Sequence, residues 1–145
     1  MKVLMAVEDL IFSEGVVRLL ADQLIPEKTE VMVLHVLQPA IPMSPPEMAL
    51  GYAPELQELK EPARQLVSEI GSELQSLGFT AHTDVRIGDV TQTIVDAAWG
   101  WNADLIVVGS HRQTGLQNFL LGSVAESVAR KAKCSVQIVR KPVTE

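Results

Sequence analysis

The sequence has few of the residues that cross-link a small protein or fill its core with rings. Cys134 is the only cysteine among 145 residues, so one chain can build neither a disulfide framework nor a cysteine-based metal cluster. A lone free thiol is typical of a reducing compartment, and we expect a cytoplasmic protein. Aromatic residues make up only 4% of the chain, whereas apolar residues make up 47%. This composition indicates a core of aliphatic side chains.

Long hydrophobic runs are also missing. No apolar run approaches the roughly 20 residues that a membrane-spanning helix needs, so we expect no membrane association. The first ten residues, MKVLMAVEDL, contain a short apolar run that meets Glu8 and Asp9 at once, and they predict a first strand in place of a signal peptide. By length, residues 1–145 form one domain. Five prolines between positions 39 and 54 predict a loop insert within it.

Basic residues are scarce in most of the chain. Residues 1–104 contain 6 Lys or Arg against 16 Asp or Glu, a net charge of −10, whereas residues 105–145 contain 6 against 2, a net charge of +4. An acidic chain without a dense basic stripe is a poor candidate for binding nucleic acid. An anionic ligand is instead expected against the last 41 residues, where the charge is positive.

Short apolar segments alternate with helical patterns along the chain. The segments predict strands at residues 2–7, 31–36, 79–87, 105–108 and 135–140. The helices between them are predicted to start after an N-cap at Ser13, near Leu56, at Asp89 and at Ser123. Pro62 leaves open whether the second helix starts there or kinks there. This rhythm predicts an α/β fold with a parallel sheet and helices on both faces, which binds ligands beyond the carboxyl ends of its strands.

A glycine-containing loop follows the fourth predicted strand. The stretch VGSHRQTGLQNFLLGSVAE carries Gly109, Gly115 and Gly122 and has no acidic residue before Glu126. Ser123 and Glu126 have the spacing of a capping box, in which the serine hydroxyl and the glutamate carboxylate each accept from the other residue's amide. Because a helix start presents free N–H groups and partial positive charge, the loop predicts an anion site. The loop matches neither the Walker A pattern nor the G-x-G-x-x-G dinucleotide pattern.

A phospho-acceptor receiver domain is an alternative from another class. Glu8, Asp9, Ser110 and Lys141 imitate its acidic residues, hydroxyl and lysine. A receiver also needs an acceptor aspartate at the end of its middle strand. The nearest candidate, Asp89, follows Gly88 and is better explained as a helix cap, and the glycine loop would have no role.

Several segments together resemble the universal stress protein family. They are MAVEDLIFSEG, VLHV, RIGDVTQTIVDAA, ADLIVVGSH and GSHRQTGLQNFLLGSVAESVARKAKCSVQIVRK. The resemblance implies a five-stranded parallel sheet in the order 3-2-1-4-5, with helices on both faces, like that of adenine nucleotide alpha hydrolases. It also implies a stress-response regulator with an unknown protein partner. A homodimer formed through the last strand, Ser135–Arg140, is further implied.

One branch of that family binds ATP through the pattern G-x2-G-x9-G-[ST]. Gly109, Gly122 and Ser123 match it, whereas Arg112 stands in place of the second glycine, and Glu8 stands where the family has an aspartate. The resemblance implies ATP or ADP, with Mg²⁺, as the ligand, at most slow ATP hydrolysis, and no catalytic residue. The implied contacts are Ala6, Glu8, Val36, Gly109, His111, Arg112, Gly115, Gly122, Ser123 and Val124. Because of these two departures, the alternative also stays open that this protein is a family member that has lost nucleotide binding and acts only through protein contacts.

Overall fold

The computed structural model describes residues 1–8, 10–39, 54–110 and 122–140. Its sheet has five parallel strands in the order β3-β2-β1-β4-β5, which confirms the predicted fold class and strand order. The strands are β1 Lys2–Ala6, β2 Glu30–Leu37, β3 Thr80–Ile87, β4 Leu105–Gly109 and β5 Ser135–Val139. The helices are α1 Leu10–Gln23, α2 Pro54–Ser76, α3 Val90–Trp101 and α4 Ser123–Lys131, and a short 3₁₀ helix spans Pro26–Lys28.

Both faces of the central strands are buried, because successive side chains of a strand point to opposite faces. In β1, Val3 and Met5 join the cluster that packs against α1 and α2, whereas Leu4 joins the cluster under α3 and α4. β4 repeats the arrangement with Val107 on the first face and Val108 on the second. Such strands are apolar throughout, which is why they appear in the sequence as continuous apolar runs.

The start of the first helix differs from the prediction. Ser13 is not an N-cap: α1 begins at Leu10, and Ser13 is only 1% exposed inside the helix. The extra helical residues bring Phe12 against the core cluster under α1 and α2. Burial of this ring favours the longer helix over a start at the serine, which the local sequence pattern cannot reveal.

Other helix boundaries follow the predicted signals. Asp89 caps α3, where its Oδ2 accepts a hydrogen bond from the Gln92 amide at 2.9 Å. α2 extends to both sides of Pro62, so that proline does not start the helix. Gly78 follows the end of α2 with a φ of +102°, a conformation that favours glycine. In the described part of the chain, no helix has the length and hydropathy to cross a membrane. Residues 40–53, which hold most of the predicted Pro-rich loop, lie outside the described residues.

Candidate functional site

The strand order reverses its direction at β1, which lies between β2 and β4. The connection from β1 through α1 runs over one face of the sheet, while α4, which follows β4, packs on the other face. β1 pairs directly with β4, as in the strand order that the family resemblance implies. A crevice at the carboxyl ends of two such strands is the usual ligand position in open α/β sheets.

Three of the predicted contacts share one side of this crevice. Ala6 ends β1, Val36 is the penultimate residue of β2, and Val124 lies in the first turn of α4. All three are half-buried and pack against the apolar cluster under α3 and α4. Their side chains form a small, apolar surface beside the strand ends, which suits a flat ring system better than a charged group.

Gly109 has a packing role that its position in the motif does not reveal. A Cβ atom at Gly109 would lie 2.6 Å from Cε1 and 2.7 Å from Cζ of Phe12. Such separations are far below van der Waals contact, so this position requires glycine as long as the ring keeps its place. The group that approaches Gly109 closely is therefore a side chain of α1, which lies on the sheet face opposite to Val36.

The predicted capping box at the start of α4 is wrong. Gly122 is the N-cap and Ser123 is already the first helical residue, so the serine hydroxyl makes no capping hydrogen bond. The Glu126 carboxylate instead accepts from Arg130 Nη2 at 2.7 Å, one helical turn further on. Among the described residues no side chain caps this helix, so its first N–H groups have no side-chain acceptor there. Ser123 is exposed, whereas Gly122 is buried.

Glu8 lies just after β1 and is exposed. The segment before it is held by two bonds to β2: the Val7 amide donates to the Leu34 carbonyl at 2.9 Å, and His35 Nδ1 donates to the Val7 carbonyl at 2.7 Å. His35 is thus a positioning residue for the end of β1. Neither His35 nor Phe12 was predicted from the sequence, although a histidine inside an apolar strand is a signal that a buried polar group needs a partner.

The middle of the glycine loop is not part of this geometry. His111, Arg112 and Gly115, together with Asp9 and Lys141, lie outside the described residues. The predicted contacts that lie within the described residues are Ala6, Glu8, Val36, Gly109, Gly122, Ser123 and Val124.

Comparison with known proteins identifies the family of this chain. The sequence model of the Universal stress protein family matches residues 1–140. The chain belongs to the universal stress protein family. Membership removes the support for a receiver domain, and the observed cap at Asp89 agrees with the helix-cap interpretation of that residue.

Two curated relatives illustrate the similarity. Universal stress protein MJ0531 of Methanocaldococcus jannaschii is 39% identical over 87 residues, which are 60% of this chain and 51% of the relative. Universal stress protein Sll1388 of Synechocystis is 35% identical over 98 residues, which are 65% of this chain and 64% of the relative. The aligned part of the chain thus spans between about half and two thirds of the length of these relatives.

Solved structures match over nearly the whole chain. That of MJ0577, another universal stress protein of M. jannaschii, superposes with a TM-score of 0.81 at 27% identity and covers 99% of this chain and 97% of that one. A family member from Arabidopsis thaliana with AMP bound has a TM-score of 0.72 at 18% identity, covering 99% and 93%. The universal stress protein from Archaeoglobus fulgidus in complex with dAMP has a TM-score of 0.65 at 22% identity, covering 96% and 97%.

Proposed function

We propose that this universal stress protein is a stress-response regulator that binds an adenine nucleotide in the crevice between the end of β1 and the start of α4. The observation that carries the proposal is the start of α4, which has no side-chain cap and follows the strand next to β1. The AMP and dAMP bound by structural neighbours support the choice of an adenine nucleotide.

The phosphates are proposed to bind at the start of α4. Its free N–H groups and the positive end of the helix dipole favour an anion, and the exposed Ser123 hydroxyl adds a donor. Gly122 allows the phosphate to approach the backbone closely. The phosphates of a bound nucleotide carry negative charge. Mg²⁺ would offset part of this charge, and the groups at the start of α4 would offset another part. The proposed ligand is ATP or ADP.

The base and ribose are proposed to lie toward β1 and β2. The half-buried side chains of Ala6 and Val36 offer the apolar surface on which an adenine ring can pack, and the Val36 backbone can contact its polar edge. The exposed Glu8 carboxylate would accept hydrogen bonds from the ribose hydroxyls. Its side chain is one methylene longer than the aspartate of the ATP-binding branch, so the ribose would sit slightly further from the sheet.

The proposed role is regulation by occupancy, with at most slow ATP hydrolysis, and we assign no catalytic residue. The proposed setting is the cytoplasm, where Cys134 would stay a free thiol. A protein partner would distinguish the nucleotide-bound form from the empty form.

A homodimer through β5 belongs to the same proposal. β5 is the last strand of the sheet, so one of its edges has no neighbouring strand among the described residues. Exposed edges promote pairing with another chain, and pairing with a second copy would cover this one. Sedimentation equilibrium gives the mass in solution. A mass that stays at the 15.8 kDa of one chain at high protein concentration would contradict the dimer.

Thermal unfolding with excess nucleotide tests the binding site. ATP with Mg²⁺, ADP with Mg²⁺ or AMP at 100 times the dissociation constant should stabilise the protein by about 2.7 kcal/mol. Ser123→Ala should weaken this stabilisation. Ser72→Ala, which changes an exposed serine of α2 outside the crevice, is the matched control and should leave it unchanged.

Absence of stabilisation by millimolar nucleotide would favour the alternative, a family member that acts only through protein contacts. The sequence observations on that side are Glu8 and Arg112. Arg112→Gly separates the two cases. If the variant gains nucleotide binding that the parent chain lacks, the arginine has abolished the site, whereas unchanged absence of binding in both chains would show that the whole crevice has lost the function.

A further inference from the structure

A second concave site lies at the other end of the sheet. A pocket of about 240 Å³ is formed between the last turn of α3 and the loop that leads into β5. Asn102 and Ala103 precede β4, and Lys133 and Cys134 precede β5, so the pocket lies at the amino ends of these strands. The five residues of β4 rise about 16 Å, which separates it from the proposed nucleotide crevice.

The base of the pocket is apolar. Val95 and Ala98 of α3 are buried, at 9% and 4% exposure, and Ala103 and Cys134 pack against the core cluster beneath them. Trp99 forms a wall and is itself 65% exposed. A tryptophan left so exposed beside an apolar hollow offers a large flat surface that a second ring can cover.

The rim of the pocket carries a cation. Lys133 Nζ lies 4.3 Å from the centroid of the Trp99 ring, which holds the ammonium group over the wall of the pocket through a cation–π contact. Asn102, at the same rim, adopts the left-handed conformation with a φ of 60° and has an amide that can donate to an acceptor. Lysine is the charged side chain among the lining residues, so the rim complements a negative group.

Size and charge together select a class of ligand. An apolar cavity of about 150 Å³ holds benzene, so a pocket of about 240 Å³ has room for one ring with a short substituent. We propose that this pocket binds a small aromatic carboxylate, with its ring between Trp99 and Ala98 and its carboxylate paired with Lys133. The site is separate from the crevice, and its occupancy does not depend on nucleotide binding.

One nearby charge opposes the ligand. Asp104 follows the pocket residue Ala103, and its Oδ2 accepts a hydrogen bond from the Lys2 backbone amide at 2.8 Å. Its negative charge would repel a carboxylate. Asp104→Asn keeps an acceptor for Lys2 and removes this charge, so the variant should bind the aromatic acid more tightly than the parent chain.

The chain contains its own reporter for this pocket. Cys134 is the only cysteine, so iodoacetamide labelling at a fixed pH reports on this one thiol, through its access to the reagent and its degree of ionisation. Phenylacetate, phenylacetamide and phenethylamine place a carboxylate, a neutral amide or a cation on the same ring. Phenylacetate should slow the labelling and change the tryptophan fluorescence in parallel. The amide should protect more weakly, and the amine should not protect.

Two lysine variants decide the role of the rim cation. Lys133→Met should weaken phenylacetate binding about fivefold, the value of a partly exposed charge pair. Lys131→Met removes an equally exposed charge two residues away, outside the pocket lining, and should leave binding unchanged. Equal protection by the three compounds, equal effects of the two variants, or no protection at millimolar phenylacetate would each overturn the proposal.

Discussion

The two ends of the sheet are built in different ways. At the amino ends, side chains from distant parts of the chain tie the strands together. Asp104 accepts from the Lys2 amide at 2.8 Å, Lys2 Nζ lies 5.3 Å from the centroid of the Trp101 ring, and the His82 ring meets the same tryptophan edge-on at 5.9 Å. The Met1 ammonium group also donates to the Lys28 carbonyl at 3.0 Å.

At the carboxyl ends, small residues and the backbone do most of the shaping. Gly109 accommodates a ring of α1, the first turn of α4 has no side-chain cap, and both Glu8 and Ser123 are exposed. Contacts between side chains stabilise the fold at the amino ends. At the carboxyl ends, polar groups that have no partner among the described residues are free to bind a ligand. The amino ends are thus held together mainly by contacts between side chains, whereas the proposed nucleotide crevice at the carboxyl ends is shaped mainly by small residues and the backbone.

The largest expected effect is at the amino ends. Trp101→Ala should lower the free energy of unfolding by about 2–3 kcal/mol, less than for a fully buried ring because Trp101 is half-buried. Trp99→Ala is the matched control, since that ring is 65% exposed, and should cost less than about 1 kcal/mol. Urea unfolding of both variants gives the two values. Equal losses of unfolding free energy in the two variants would contradict the conclusion that the Trp101 contacts stabilise the fold.

A smaller effect is expected at Gly109, where the carboxyl end itself is under a packing constraint. Gly109→Ala should cost about 1–2 kcal/mol, because the added methyl group would displace the Phe12 ring. A double-mutant cycle with Phe12→Ala measures the cause. The cost at Gly109 should fall when the ring is absent, with a coupling of about 1 kcal/mol. Strictly additive losses would mean that the clash is relieved elsewhere.

The two helix starts should respond differently to loss of their polar residue. Asp89→Ala should cost about 1 kcal/mol, because this carboxylate accepts from the Gln92 amide. Ser123→Ala should change the stability of the nucleotide-free protein by less than about 0.5 kcal/mol, because the hydroxyl is exposed and caps nothing. A loss at Ser123 as large as that at Asp89 would indicate a structural role for the serine.

The smallest effect concerns the pH dependence contributed by Cys134. Burial, and then the charge of Asp104, raises the pKa of this thiol in the folded protein. Between the pKa of the unfolded chain and that of the folded protein, the unfolded chain binds fewer protons, so stability falls as the pH rises through this interval. Cys134→Ser should remove this contribution. Urea midpoints of both proteins, measured from neutral pH to about pH 10, give the comparison.

The same thiol connects this prediction with the amino-end pocket. Asp104→Asn should lower the pKa of Cys134, because it removes the second cause of the shift, and iodoacetamide labelling should then become faster at a given alkaline pH. Burial remains in the variant, so the pKa should stay above that of the unfolded chain. An unchanged labelling profile would mean that Asp104 does not act on the pocket.

Much of the fold was predictable from the sequence. Strand segments separated by helical patterns specify a parallel α/β sheet, and the central strands β1, β2 and β4 appear as apolar runs because they are largely buried on both faces. Local chemistry also specified the cap at Asp89, because it depends on the residue itself and its immediate neighbours. The strand order came from the resemblance to the universal stress protein family and not from these patterns.

Tertiary structure alone decided the details of the candidate site. The capping box was a sound local pattern, but Arg130 takes the Glu126 carboxylate and the helix starts with Gly122 as its cap. The Phe12 ring, 97 positions away in the sequence, explains why residue 109 is glycine. His35 holds the end of β1 through a hydrogen bond to Val7, 28 positions away. The succession of strand and helix segments and the cap at Asp89 follow from the properties of neighbouring residues, so the sequence by itself determined them. The environment of a site depends on which distant side chains the packed strands bring together, and only the folded sheet decides that.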